Sequence, residues 1–143
     1  MTQSSPQSNH IYSVEFRFFG GDLDPAEIST IIGLQSTRSS KGELIGRRRT
    51  PRFWGYNASD VSPFRDEWHS LEDGLMLVSR QLTPYRAIII ELSKRFEGVW
   101  WCGHFQYSAD GGPTLSPEVL AAIAGFGCPL FIDCYQFCDD GDE

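Results

Sequence analysis

Six apolar residues, Phe64, Trp68, Leu71, Leu75, Val78 and Leu82, recur at steps of 4, 3, 4, 3 and 4 through SPFRDEWHSLEDGLMLVSRQL. This is the 3.6-residue repeat of an amphipathic helix, and it predicts a helix over 62–82 whose apolar stripe must be buried. Gly74 inside it costs about 1 kcal/mol relative to alanine. The layer to bury it against is announced by IYSVEFRFF, where Tyr12, Val14, Phe16 and Phe18 alternate with Ser13, Glu15 and Arg17. A period of two is that of a half-buried strand.

The remaining elements follow from caps and composition. LDPAEISTIIGL predicts a short helix with Asp24 as N-cap, Pro25 at its first position, Glu27 closing a capping box, Leu23 stapling to Ile28 and Gly33 as the stop. LSPEVLAAIAGFG repeats the scheme with Ser116, Pro117 and the Leu115–Leu120 staple, ending at Gly125 or Gly127. The two start 92 residues apart, an offset that raises the question of an internal duplication, although helix-start chemistry alone produces much of the likeness. Residues 35–60 form a loop-rich basic segment with a strand around Arg52 to Tyr56. AIIIEL and VWWCGHFQY are expected to be an antiparallel pair of strands, and LFIDCYQF the last strand. The resulting order is βα followed by βαββαβ. It predicts an α+β domain over 11–138 with a ferredoxin-like arrangement, an added βα unit, a mostly antiparallel sheet, and helices on one face with the other face open. Residues 1–10 and the acidic end 139–143 are expected to be disordered tails.

Charge narrows the functional classes. The net charge is −7, yet residues 38–52 hold Arg38, Lys41, Arg47, Arg48, Arg49 and Arg52 against Glu43, giving +5, so the rest of the chain carries −12. An acidic surface disfavours nucleic acid and favours a basic partner. No apolar run reaches the roughly 18–20 residues needed to cross a bilayer, and the first ten residues do not resemble a signal peptide, so a cytoplasmic protein without a membrane partner is expected. Cys102, Cys128, Cys134 and Cys138 lack C-x-x-C spacing and read as free thiols rather than a disulfide framework.

No motif for a cofactor or a catalytic centre is complete. GFG at 125–127 follows a helix instead of opening one, and the nucleophile elbow and H-E-x-x-H are missing. In WWCGHFQY, alternation puts Trp100, Cys102, His104 and Gln106 on one face and Val99, Trp101, Gly103, Phe105 and Tyr107 on the other. Cys102 and His104, with Asp133 or Cys134 on the last strand as a third group, could serve as nucleophile and base or as metal ligands; the alternative is a packed thiol and a hydrogen-bonded imidazole on an open sheet face. The arginine segment, mixed with Phe53, Trp54 and Tyr56, reads as a single-strand grip, a docking loop, or a charged sheet edge that blunts pairing. Trp54 is expected to serve the core more than a ligand.

With these elements in place the chain resembles a bacterial family known as domain of unknown function 4279. The resemblance rests on YSVEFRFFG running into LDPAEISTIIGL, on KGE followed by the strand tryptophan Trp54, on LEDGLMLVSRQLTP, and on LSPEVLAAIAGFGCPLFIDCYQF, and it spans roughly residues 11–137. It implies a small cytoplasmic bacterial protein without an established activity, similar in size and charge to the immunity proteins of toxin systems. The arginine run and the Trp100–Trp101 pair lie outside the family pattern. The leading expectation is a non-enzymatic protein-binding module, an immunity protein that neutralises a toxin by occlusion, with Arg47, Arg48, Arg49, Arg52, Trp54, Trp100 and His104 as candidate partner contacts. The runner-up is a small metal-dependent or Cys/His enzyme, followed by a nucleic-acid binder through the arginines.

Overall fold

The computed structural model describes residues 9–137. The chain runs β1 (His10–Phe19), α1 (Pro25–Ile32), β2 (Arg38–Lys41), β3 (Leu44–Ile45), β4 (Arg48–Arg49) and β5 (Arg52–Tyr56). Then come α2 (Leu71–Leu82), one 3-10 turn (Thr83–Tyr85), α3 (Arg86–Leu92), β6 (Glu97–Gln106), α4 (Pro117–Ala124) and β7 (Leu130–Gln136). Five strands form one sheet in the order β2-β5-β1-β6-β7, while β3 and β4 pair with each other as a separate hairpin. β1 is antiparallel to β5 and β6, β2 is antiparallel to β5, and β7 runs parallel to β6. The class is α+β with a mostly antiparallel mixed sheet. No helix among the described residues is long and apolar enough to cross a membrane.

The alternation of β1 decides which face the helices cover. Tyr12, Val14, Phe16 and Phe18 are buried, and the register sets Phe16 beside Trp100 and Tyr56, and Phe18 beside Trp54. Ile28 and Ile32 of α1, Leu71, Leu75, Val78 and Leu82 of α2, Ile89 and Leu92 of α3, and Val119 and Ile123 of α4 join these residues in one cluster. All four helices therefore pack on the same side of the sheet.

The helix starts follow the cap chemistry. Asp24 accepts from the Ala26 N–H at 3.1 Å and Ser116 from the Val119 N–H at 3.2 Å, each with proline at the first turn. The ends differ: Gly33 closes α1 in the left-handed region at φ 85°, whereas Gly125 stays right-handed at φ −63°. Glu27 does not close a box; it pairs with Arg95 at 3.5 Å.

Two expectations need correction. The helix expected over 62–82 begins only at Leu71, because Ser70 caps it by accepting from the Asp73 N–H at 3.2 Å. Trp68, upstream of that cap, exchanges hydrogen bonds with Tyr12 at 2.7 and 2.8 Å, so the helical spacing is continued by a segment held against β1. Gly74 is what lets α2 lie there: an added Cβ would sit 2.8 Å from Val14 Cγ2 and 3.0 Å from Trp68 Cδ1. The second correction is AIIIEL, which is helix α3 rather than a strand. Ile89 and Leu92 face the core while Ile88 and Ile90 stay partly exposed, a pattern that packing imposes on a β-branched run too short to declare its period. The ferredoxin-like order required a strand there, so the part after β4 runs βααβαβ.

β1 opens at His10, inside the segment expected as a tail. The rest of both expected tails, residues 1–8 and 139–143, lies outside the described residues, as does Cys138.

Candidate functional site

The second face of the sheet carries the odd-numbered residues of its central strands. The register brings together Glu15, Arg17 and Phe19 of β1, Phe53 and Gly55 of β5, Trp101, Gly103 and Phe105 of β6, and Phe131, Asp133 and Tyr135 of β7. Aromatic rings line its β6–β7 half. Trp101 meets Phe131 at 4.7 Å, Phe105 stacks on Tyr135 at 5.0 Å, and Phe137 stacks on both Phe105 and Tyr107, at 6.3 and 5.1 Å. Phe131, Tyr135, Phe137 and Tyr107 are each 43–52% exposed. Isolated exposed apolar residues need no explanation, but a row of stacked rings in water does.

A charged network braces the other half. Glu15 is buried, and its carboxylate accepts from Arg17 Nε at 2.6 Å and from Arg38 Nε and Nη2 at 3.1 and 3.2 Å. Gly55 makes this possible, since an added Cβ would lie 2.9 Å from Glu15 Cδ; the carboxylate crosses β5 in the gap where a side chain is missing. The Arg17 guanidinium lies 4.6 Å from the centre of the Trp101 ring, 5.0 Å from Phe53 and 5.9 Å from Phe19. It is a cation held by rings and one carboxylate. The hydrogen bonds that Arg38 donates to Glu15 raise the Arg38 pKa further. Nearer the β7 edge, Asp133 accepts from the Tyr135 hydroxyl at 2.5 Å, and this bond raises the phenol pKa.

Three residues expected at a binding face lie on the opposite side. Trp54 and Trp100 are fully buried and present no surface to a partner. Trp54 Nε1 donates to Ser29 Oγ at 2.9 Å, and Trp100 packs edge-to-face between Phe16 and Phe126. His104 is 5% exposed, against the Tyr12 ring. Its Nε2 lies 2.9 Å from Nδ1 of His10, whose Nε2 lies 2.7 Å from the Asp110 carbonyl. A carbonyl can only accept, so His10 donates through Nε2; a neutral His10 then accepts at Nδ1, which makes His104 Nε2 the donor.

Burial and the neighbouring His10 lower the His104 pKa from 6.5. The folded chain then resists a proton that the unfolded chain accepts, so the stability this group contributes is complete above pH about 6.5 and is lost as pH falls through the depressed value. We expect the urea midpoint to fall between pH 7 and pH 5, and His104→Gln to flatten that slope. A slope unchanged by the substitution contradicts the assignment.

Cys102 and His104 share the helix-covered face, whereas Asp133 pairs with Gly103 and points to the open one, so the set with Asp133 does not converge; Cys134, the other candidate third group, is the register partner of His104 and is exposed. Burial pushes the Cys102 thiol up to about 12, which leaves no thiolate for chemistry at neutral pH. Iodoacetamide at neutral pH is expected to label the exposed Cys134 and to leave Cys102 unlabelled until denaturant is added; native labelling of Cys102, read by peptide mass mapping, would refute its burial. Among the described residues no group of three His, Cys, Asp or Glu side chains is placed to hold a metal ion.

The arginine segment divides by role. Arg52 donates to the Leu23 and Lys41 carbonyls at 2.9 and 3.1 Å, and Arg49 to the Gly42 carbonyl at 3.0 Å, so both brace the backbone. Arg47 and Arg48 sit in the β3–β4 hairpin, which turns at Gly46 (φ 62°) with Leu44 and Ile45 more than 60% exposed.

Sequence reasoning missed the rings of the open face because both faces of β6 are aromatic, and polarity alone does not tell them apart. The signal was in β1: Glu15 and Arg17 mark the face away from the core, and the register carries that label to Trp101.

Searches of the curated proteins and of the solved structures give no significant match to this chain. A family model does match, over residues 9–137, from the residue before β1 to the residue after β7. The chain belongs to the family described as Domain of unknown function (DUF4279).

Proposed function

We propose that this chain is a non-enzymatic protein-binding module that docks a basic partner protein on the open face of its sheet. The row of exposed rings, Phe131, Tyr135, Phe137 and Tyr107, carries the reading. Aromatic side chains supply large contact area at small conformational cost and are enriched at interfaces, and a contiguous exposed row marks a surface that a partner covers. The charge of −12 outside residues 38–52 steers a basic partner toward the molecule. The favoured form of this reading is an immunity protein that occludes a toxin; it rests on likeness in size and acidity to such proteins. The β3–β4 hairpin, with Leu44, Ile45, Arg47 and Arg48 exposed, is a second contact of lesser area.

The reading is tested by capturing partners from the source cells with nuclease present, comparing the wild type with the folded variants Phe131→Glu/Tyr135→Glu and Arg47→Ala/Arg48→Ala/Arg49→Ala. A stoichiometric protein lost with the first variant and kept with the second is the expected result. A partner that ignores the charges placed among the rings, or none at all, overturns it.

A further inference from the structure

At the end of the open face where β1 begins, Ile11, Ser13, Asp66, Glu67, Phe105, Tyr107 and Phe137 enclose a pocket of about 450 Å³. Its layout follows from the topology. Ile11 and Ser13 of β1 form the floor. The hydrogen bonds between Trp68 and Tyr12 place the exposed pair Asp66 and Glu67 on one flank of β1, and the register of β6 against β1 places Phe105 on the other. Strands lie about 4.8 Å apart, so flanks on either side of β1 stand roughly 10 Å from each other, the span of a planar cation with a contact on each side.

We propose that this pocket binds the guanidinium of an arginine side chain presented by the partner protein, a claim that rests on the docking reading above. Elsewhere on the same face the fold already solves the same problem: the Arg17 guanidinium lies over Trp101, Phe53 and Phe19 with Glu15 bonded to it. The pocket brings together the same kinds of group, three rings with two carboxylates where Arg17 has one, and no Lys or Arg is among its lining residues. Ring faces attract a cation through their quadrupole, and the carboxylates add a planar acceptor for the guanidinium fork.

The probe is N-acetyl-arginine amide, titrated into the full chain and followed by NMR, with the uncharged N-acetyl-citrulline amide as control. Saturable shifts at Ile11, Ser13, Phe105 and Tyr107 are expected with the arginine compound alone. Weakening by about fivefold is expected in Asp66→Asn/Glu67→Gln, at two exposed positions, and in Phe105→Leu, which keeps an apolar side chain at a half-buried one, and added salt should weaken binding further. Equal shifts with citrulline, or arginine binding indifferent to both variants, overturn the proposal. The two readings fail separately: a partner that still covers the rings while arginine amide does not bind removes the pocket assignment alone, and arginine amide binding to a chain whose rings no partner covers removes the docking reading.

Discussion

Replacing Trp54 by alanine is expected to lower stability by about 3–5 kcal/mol, a large share of the roughly 5–15 kcal/mol that holds a domain of this size together. Trp54 is fully buried, stacks near Tyr56, meets Phe18 at 6.1 Å, and bonds Ser29 Oγ, so it fastens β5 to both β1 and α1. The comparison with Trp100 is sharper than either substitution alone. Trp100 is equally buried, but its Nε1 has no hydrogen-bond partner among the described residues. Phenylalanine at position 54 therefore loses a hydrogen bond as well as volume, whereas at position 100 it removes an unsatisfied N–H. Urea denaturation should show Trp54→Phe costing about 1 kcal/mol more than Trp100→Phe. Equal costs would mean that the Ser29 contact contributes nothing.

Glu15→Ala is the second large effect, at about 2–3 kcal/mol, because it leaves Arg17 with 16% of its side chain exposed and no carboxylate bonded to it. The figure stays below that of a fully buried pair because the rings of Trp101, Phe53 and Phe19 still hold the cation. Arg38→Ala should cost under 1 kcal/mol, its side chain being 55% exposed. The double change Glu15→Leu/Arg17→Met removes both charges and keeps the volume. Its stability should return to within about 1 kcal/mol of wild type. A double variant as unstable as Glu15→Ala would show that the network supplies stability that apolar packing cannot replace.

What the sequence made legible was whatever short-range chemistry decides. The faces of β1, the span of β5 from Arg52 to Tyr56, and the capped starts of α1 and α4 follow from alternation, from Asp24 and Ser116, and from the prolines after them. The illegible parts depended on contacts made far along the chain. Phe64 and Trp68 keep helical spacing to α2, yet the backbone of Trp68 is spent on Tyr12, some 56 residues earlier. Ile88, Ile89 and Ile90 favour a strand locally, and the core takes Ile89 alone of the three as a fully buried side of a helix. The candidate site was misplaced for the same reason. Trp100 and Trp101 are neighbours with identical chemistry, and only the pairing of β6 with β1 decides that the first is core and the second lies on the open face.

The central claim is that the partner covers the β6–β7 half of the open face. Hydrogen exchange of the complex against the free chain, followed by peptide mass spectrometry, tests it most directly, because a partner covering this face suppresses both the exchange of the β7 edge amides and the local openings through which β6 exchanges. The account predicts slowed exchange in 101–107 and 130–137, with 71–82 and 117–124 on the helical side unchanged. Slowing confined to the helices, or to the hairpin 44–49, would contradict it.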